Sequence, residues 1–193
     1  MKGPLLFFLL GLSAFALHAD ILANGDFADG AAHWRGDGSD SGNQSLVIQL
    51  DHSKWTYVSQ LFNTKDNALD FSITYKTSSD CVLPTTPQTC WKASLFKMTG
   101  IVFNNSIKVP PSSWLVMVYD SANLRMGYCH IPVTLGSTDP QQVTGTVPKL
   151  VAHAEKTVFI AFPPGEGSIT LLKVALTPSQ GSDDSDSSPA PGN

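Results

Sequence analysis

The sequence has 193 residues, about the length of one domain, and only 15% of them are charged, against roughly 25% in an average soluble protein. Its 13 Pro and 15 Gly residues indicate a turn-rich β protein and argue against a helical bundle or a coiled coil. The 12 Lys and Arg residues form no run and are outnumbered by 16 Asp and Glu residues, which excludes the electrostatic footprint of a nucleic-acid-binding protein.

Both ends of the chain differ in composition from its middle. Lys2 precedes an apolar run of about 14 residues, too short to span a bilayer comfortably, and small residues allow cleavage after Ala19 or Ala16. We predict that residues 1–19 are a signal peptide, the alternatives being an uncleaved anchor or a buried helix. The mature chain would then be secreted or periplasmic, with no further membrane segment. Residues 179–193 are rich in Ser, Asp and Pro, which predicts a disordered acidic tail.

Between these ends, apolar residues recur at every second position, as is typical of half-buried strands. In the clearest case, residues 69–76, Leu, Phe, Ile and Tyr alternate with Asp, Ser, Thr and Lys. The other predicted strands cover 45–50, 55–62, 93–98, 114–119, 126–135, 157–162 and 169–176. About seven to nine short strands separated by turns predict an all-β domain over residues 20–178, a single antiparallel two-sheet sandwich of the jelly-roll type.

The three cysteines lie in a chain that we expect to be exported to a compartment where thiols usually oxidise. Cys81 and Cys90 bracket a polar loop with two prolines, and a bridge would close a loop of about ten residues and contribute roughly 2.5–3 kcal/mol. Cys129 lies in an apolar run. We therefore predict a Cys81–Cys90 disulfide and a free, buried Cys129.

No motif in the sequence carries catalytic chemistry. A nucleophile elbow, phosphate-binding and dinucleotide-binding Gly-rich loops and metalloprotease helices are all missing from it. We therefore predict no enzyme, no cofactor and no metal. Arg35-Gly36-Asp37 matches a tripeptide that some adhesion receptors bind, and a local turn is the other explanation for it.

Seven aromatic residues are candidates for stacking on a sugar ring, with core packing as the alternative for each. They are Trp34, Trp55, Tyr57, Trp91, Trp114, Tyr119 and Tyr128. Trp34 and Trp114 are predicted to be structural. Trp55 and Tyr57 share one strand face beside a polar turn, and Trp91 follows the proposed disulfide loop. We predict that Trp55, Tyr57 and Trp91 bind the ligand.

Several short segments together resemble the galactose-binding-like β-sandwich of bacterial carbohydrate-binding modules. They are Asn24-Gly25-Asp26-Phe27, Trp34, and residues 58–62, 71–75 and 163–176, and the resemblance spans nearly all of residues 20–177. It implies that Phe27 and Trp34 plug the core and that the last strand pairs near the first. A calcium often lies near the N-terminal turn in that family, but Ala28 and Lys173 stand where acidic residues are usual, so we expect no calcium.

The resemblance implies a secreted, non-catalytic carbohydrate-binding-like module whose partner is a glycan or cell-surface polysaccharide. The alternative is a cell-envelope structural or protein-interaction domain with no sugar site. Stacking one ring removes about 100 Å² of apolar area, worth roughly 2.5 kcal/mol, whereas association costs about 4 kcal/mol or more. Two or more exposed aromatic residues on one face would therefore favour sugar binding.

Overall fold

A computed structural model of the chain describes residues 20–64, 68–90, 107–120, 125–147 and 155–179. Within these ranges there are twelve β-strands and no helix, so the described chain offers no helix that could cross a membrane. The strands are β1 (Arg35–Gly36), β2 (Gly38–Asp40), β3 (Leu46–Gln49), β4 (Thr56–Asn63), β5 (Leu69–Thr77), β6 (Gln88–Cys90), β7 (Ile107–Val109), β8 (Ser113–Asp120), β9 (Arg125–Pro132), β10 (Gln141–Val147), β11 (Glu155–Phe162) and β12 (Ser168–Pro178). The predicted signal peptide, the predicted strand 93–98 and residues 180–193 of the predicted tail lie outside the described residues.

Ten of these strands form two five-stranded antiparallel sheets, which confirms the predicted two-sheet, all-β fold. Sheet A has the strand order β1-β4-β11-β8-β9, and sheet B has the order β10-β5-β12-β3-β2. β6 and β7 pair only with each other and form a small sheet C. The sandwich therefore has two large layers and one short additional layer.

The main core lies between sheets A and B and is built from alternate residues of their strands. In β5, Leu69, Phe71, Ile73 and Tyr75 are at most 2% exposed, whereas the side chains between them are partly exposed, as the alternation predicts. Sheet A contributes Val58, Phe62, Trp114, Val116, Val118, Val158, Ile160 and Phe162 to the same core. Burial of one such side chain contributes about 1.5–3 kcal/mol, so this layer is the main source of stability.

A second apolar cluster lies on the outer face of sheet A, against sheet C, and we call it the outer cluster. Sheet A supplies Leu115, Met117, Tyr119, Phe159 and Ala161 to it. Cys90, Ile107 and Val109 of sheet C and the nearby Trp55 complete it. β8 is consequently buried on both faces, and every residue from 113 to 119 is buried.

The N-terminal segment pairs with the last strand, as the resemblance implies. The Ile21 N–H donates to the Leu176 carbonyl at 2.8 Å, and the Leu176 N–H donates to a carboxylate oxygen of Asp20 at 3.0 Å. A Cβ atom at Gly25 would lie 2.2 Å from the carbonyl oxygen of Val174, so this close approach requires glycine. The two ends of the described chain therefore lie close together at the C-terminal end of β12, the central strand of sheet B.

Phe27 and Trp34 occupy the core position that the resemblance implies. Phe27 is fully buried and Trp34 is 8% exposed, and their ring centroids are 5.6 Å apart. The Trp34 indole N–H donates to the carbonyl of Asn24 at 3.2 Å. The predicted structural role of Trp34 is confirmed, and so is that of Trp114, which is fully buried.

The structure does not confirm the predicted Cys81–Cys90 disulfide: Cys81, Cys90 and Cys129 are all free thiols in it. Cys81 packs in the main core, whereas Cys90 packs in the outer cluster, so the two side chains belong to different apolar layers. Burial raises the pKa of Cys81 to about 11, with a further contribution from the Asp80 carboxylate, and raises the pKa of Cys90 to about 12. Cys129 is free as predicted, but it is half-buried rather than fully buried.

Candidate ligand-binding face

The three aromatic residues predicted to bind a ligand do not share one environment. Trp55 is only 9% exposed and packs in the outer cluster, so its ring is not open to a ligand as its predicted binding role requires. The physical reason is sheet C, whose two short strands were not predicted and whose apolar side chains cover Trp55. Tyr57 is half-buried on the outer face of sheet A, against the same cluster. Trp91 lies outside the described residues.

The alternation of β4 determines where Tyr57 points. Val58 and Phe62 enter the main core, which turns Tyr57 and Leu61 to the outer face of sheet A. The Tyr57 ring packs at a tilt against Phe159 with a centroid distance of 6.2 Å, and Leu61 is 58% exposed. Tyr57 therefore lies at the border of the outer cluster, with its ring packed against Phe159 and partly exposed.

The edge strand β1 approaches Tyr57 closely. Gly36 has a φ of +117°, and a Cβ atom there would lie 2.2 Å from the Tyr57 carbonyl oxygen, so both the backbone conformation and the space require glycine. The Asp37 N–H donates to that carbonyl at 2.8 Å, and the Tyr57 N–H donates to the Asp37 carboxylate at 3.0 Å. The Arg-Gly-Asp tripeptide thus lies at the edge of sheet A, and its carboxylate accepts a hydrogen bond from the Tyr57 backbone. This local structural role favours the turn explanation of the motif over receptor binding.

Charged side chains form a rim beside Tyr57. The Lys54 ammonium lies 3.9 Å from a carboxylate oxygen of Asp37 and 4.0 Å from one of Asp51. The hydroxyl and backbone N–H of Ser53 donate to Asp51, and these hydrogen bonds hold the pKa of Asp51 below its ordinary value. Exposed ion pairs of this kind contribute at most about 1 kcal/mol, so the groups remain free to exchange partners with a polar ligand.

A second exposed aromatic residue lies at the far edge of the same face. Tyr128 on β9 is 42% exposed, and its ring centroid is 5.5 Å from that of His130. Burial lowers the pKa of His130, and its Nε2 atom has no hydrogen-bond partner among the described residues. The predicted site omitted Tyr128, although strand alternation could have indicated it, since Cys129 and Ile131 pack towards the main core.

The strand register fixes the distance between the two tyrosines. Tyr57 pairs with Ala161, Ala161 with Leu115, and Leu115 with His130, so these four lie in one row across sheet A. Tyr128 lies on β9 in the adjacent row. Three strand spacings correspond to about 14 Å. The outer cluster and the sheet C that covers it lie between the two tyrosines, so a ligand touching both would have to be extended and pass over sheet C.

The N-terminal turn, where the resemblance would place a calcium, is held together by Asn24. Its side-chain amide donates to the carbonyls of Gly30 and Ala32 at 3.0 and 2.9 Å, and its side-chain oxygen accepts from the Asp29 N–H at 2.9 Å. Across the described ranges, no three His, Cys, Asp or Glu side chains come together as a metal site. The absence of calcium stays a prediction.

Comparison with known proteins supports the fold. No protein-family model matches the sequence, and no curated protein matches it significantly. A family 61 carbohydrate-binding module in complex with β-1,4-galactotriose matches 83% of this chain over 99% of its own length, at 8% identity and a TM-score of 0.50. An arabinose-bound α-L-arabinofuranosidase matches 83% of this chain at 11% identity and a TM-score of 0.54, but over only 26% of its own length.

The xylan-binding family 22 module of Paenibacillus barcinonensis Xyn10C matches 86% of this chain over 97% of its own length, at 9% identity and a TM-score of 0.49. At such identities the likeness is one of fold. The chain has a β-sandwich fold of the type found in carbohydrate-binding modules.

Proposed function

We propose that this chain is a secreted, non-catalytic module that binds a glycan through the outer face of sheet A. The observation that carries the proposal is the half-buried Tyr57 ring, held against Phe159 beside the exposed Lys54 and the half-buried Asp51. An aromatic ring with hydrogen-bonding groups at its border suits the apolar face and the hydroxyls of a sugar. The fold shared with a galactotriose-bound module supports this interpretation.

Two rings on one face make the energetics sufficient. If Tyr57 and Tyr128 each remove about 100 Å² of apolar surface from water, together they contribute about 5 kcal/mol. This exceeds the lower estimate of the association cost, about 4 kcal/mol, by a small margin. We therefore expect weak binding that strengthens with ligand length, because an extended chain reaches both edges of the face.

A glycan array probed with the purified secreted protein tests the proposal. We expect retention on at least one neutral polysaccharide and a roughly 70-fold loss of affinity in Tyr57→Ala and in Tyr128→Ala, because each variant loses one of the two rings and with it about 2.5 kcal/mol. Leu135→Ala is the matched control, since Leu135 is an exposed apolar residue in the connection after β9. Incubation with the retained glycan should release no reducing ends.

The second candidate function is a cell-envelope structural or protein-interaction domain. The exposed Leu61 on the same face favours it, because a protein partner could bury this apolar side chain. A blank array would contradict sugar binding and support this alternative. Full retention by both tyrosine variants would place any glycan contact away from the outer face of sheet A.

The proposed secretion rests on the apolar run within residues 1–19. Expression in a host with an export pathway should yield a mature chain beginning at Asp20, or at Leu17 if cleavage follows Ala16. Intact mass measurement distinguishes these products. A chain that keeps Met1 and stays in the cytoplasm would contradict the proposed location.

A further inference from the structure

The outer face of sheet B lies on the opposite side of the sandwich from Tyr57 and has a different character. The strands β5, β10 and β12 lie side by side and turn every second residue towards the main core. Their other side chains, many of which are small and polar, point outward. The outward side chains are Asp70 and Ser72 on β5, Thr144 and Thr146 on β10, and Ala175 and Thr177 on β12. They line a depression of about 380 Å³, which we call the sheet B depression.

The strand register explains why a depression forms here. Ala175 pairs with Ser72, and Ser72 pairs with Thr144, so the central row contains only short side chains. In the next row, Thr177 pairs with Asp70 and Asp70 with Thr146. A volume of about 380 Å³ lies at the lower end of the range of about 300–1,000 Å³ typical of small-molecule sites.

Gly145 keeps β10 close to this part of the sheet. A Cβ atom at Gly145 would lie 2.6 Å from the ring of Phe71, so any larger residue would push β10 away from β5. The backbone of β10 can therefore pack directly on the buried aromatic ring. The depression therefore rests on three paired strands rather than on a loop.

Two hydrogen bonds orient the polar groups that line the depression. The Thr146 hydroxyl donates to one carboxylate oxygen of Asp70 at 2.6 Å, which leaves the second oxygen as an acceptor. The Gln142 amide donates to the Ser72 hydroxyl at 2.8 Å, which leaves the Ser72 hydroxyl hydrogen as a donor. The hydroxyls of Thr144 and Thr177 make no hydrogen bond with any other residue of the described segments, so both can donate and accept.

We propose that the sheet B depression is a second binding site, for a neutral and hydroxyl-rich ligand such as an uncharged oligosaccharide. Hydroxyl groups can pair at once with a carboxylate acceptor and with side chains that both donate and accept. A carboxylated or sulfated sugar is disfavoured because the lining contains Asp70 and no cation; Lys173 lies one row away, opposite Thr74. Recognition here depends on hydrogen bonds, and it does not depend on the proposed site at Tyr57.

The test is a titration of the purified, isotopically labelled secreted protein, followed through its backbone amide resonances. The probes are β-1,4-linked hexaoses of glucose, xylose and galactose, with an oligogalacturonate as the acidic comparison. We expect at least one neutral hexaose to shift the amide of Gly145 and its neighbours, and we expect the same shifts in a Tyr57→Ala/Tyr128→Ala double variant. The oligogalacturonate should bind at least about tenfold more weakly, because Asp70 repels its carboxylates.

Two variants establish that the depression itself binds the probe. Thr144→Val/Thr177→Val keeps the shape but removes two hydroxyls, and it should weaken binding about tenfold or more. Ala175→Leu fills the floor and should abolish the shifts. Thr170→Val is the matched control, because Thr170 points outward on the same strand β12 but does not line the depression.

Three outcomes would overturn the inference. They are the absence of any shift at Gly145 with all three neutral hexaoses, unchanged binding by the folded Thr144→Val/Thr177→Val variant, and tighter binding of the acidic probe. Loss of the Gly145 shifts in the tyrosine double variant would also overturn it, because the effect would then come from sheet A. If the tyrosine variants lose retention on the array while the Gly145 shifts persist, both sites exist independently.

Discussion

Trp34 illustrates how strongly one residue can stabilise the core of this sandwich. Its ring is 8% exposed, packs against the fully buried Phe27, and donates its indole N–H to Asn24. We expect Trp34→Ala to lower the free energy of unfolding by about 3–5 kcal/mol, because it leaves a large cavity. Chemical denaturation measures this value, with Tyr128→Ala as the exposed aromatic control. A loss below about 1 kcal/mol would contradict the role of Trp34 as a core plug.

The free thiols have consequences for reactivity and for pH dependence. Cys81 and Cys90, with pKa values of about 11 and 12, should react slowly with a thiol reagent at pH 8 in the folded protein and rapidly after unfolding. If the protein purified without reductant has a mass 2 Da below that of the fully reduced chain, the predicted disulfide is present after all.

The same two thiols make the stability of the protein depend on pH. Because their pKa values in the folded state are raised from about 9, the contribution of the two thiols to stability is complete below pH 9 and is lost as the pH rises towards 11–12.

For single residues, the sequence predicted the direction in which a side chain points better than its exposure to solvent. Trp55 and Tyr57 both point to the outer face of sheet A, as their spacing predicts. Trp55 is buried, whereas Tyr57 is only half-buried. The side chains that cover Trp55 belong to a strand about fifty positions later in the chain, and they are Ile107 and Val109. Alternation is a local property of a strand, whereas burial on an outer face depends on distant segments, so it could not be derived from the pattern around Trp55.

Sheet C covers the outer cluster, and the contribution of sheet C to the stability of the protein can be measured. Ile107 is 4% exposed and packs in the outer cluster, so Ile107→Ala should lower the free energy of unfolding by about 2 kcal/mol or more. Lys108→Ala is the matched control, because Lys108 is exposed on the opposite face of β7 and should change stability by less than about 0.5 kcal/mol. Equal effects of the two substitutions would show that sheet C does not pack on sheet A as described.

The N-terminal turn is an element that we expect to be stable without a bound ion. Asn24 already satisfies the carbonyls of Gly30 and Ala32, and Ala28 and Lys173 supply no carboxylate. A chelator should therefore leave the melting temperature nearly unchanged, and excess calcium should not raise it. Differential scanning calorimetry tests this. A calcium-dependent rise of several degrees would show that backbone carbonyls build a site without those side chains.

The strands that were not predicted from the sequence lack a recognisable apolar alternation. β1, β2, β6 and β7 have two or three residues each, too few for a period of two to be recognised. β10 is longer, but it is an edge strand whose inward side includes Gln141 and Gly145. Longer strands with an apolar inner face, such as β5 and β12, were predicted close to their observed bounds, because burial of that face leaves its pattern in the sequence.

On the scale of the whole molecule, the two-sheet architecture was predictable but the functional face was not. The number of alternating segments and the resemblance at both ends of the domain indicated a sandwich. Neither could show which face stays open, because the burial of an outer face depends on which distant segment packs on it. Only the structure shows that the outer face of sheet A is partly covered by sheet C, while sheet B carries an open polar depression.

The pairing of Ile21 with Leu176, and the hydrogen bond from the Ser179 N–H to the Ala68 carbonyl, imply that the order of the strands along the chain could be changed. Because the ends lie close together at the C-terminal end of β12, a short Gly-Ser linker from Ser179 to Asp20 could close the backbone, with new termini opened at the exposed Gly136 between β9 and β10. We expect such a circular permutant to fold to the same sandwich. It would move the attachment point of any fused domain from the C-terminal end of β12 to the connection between the two sheets.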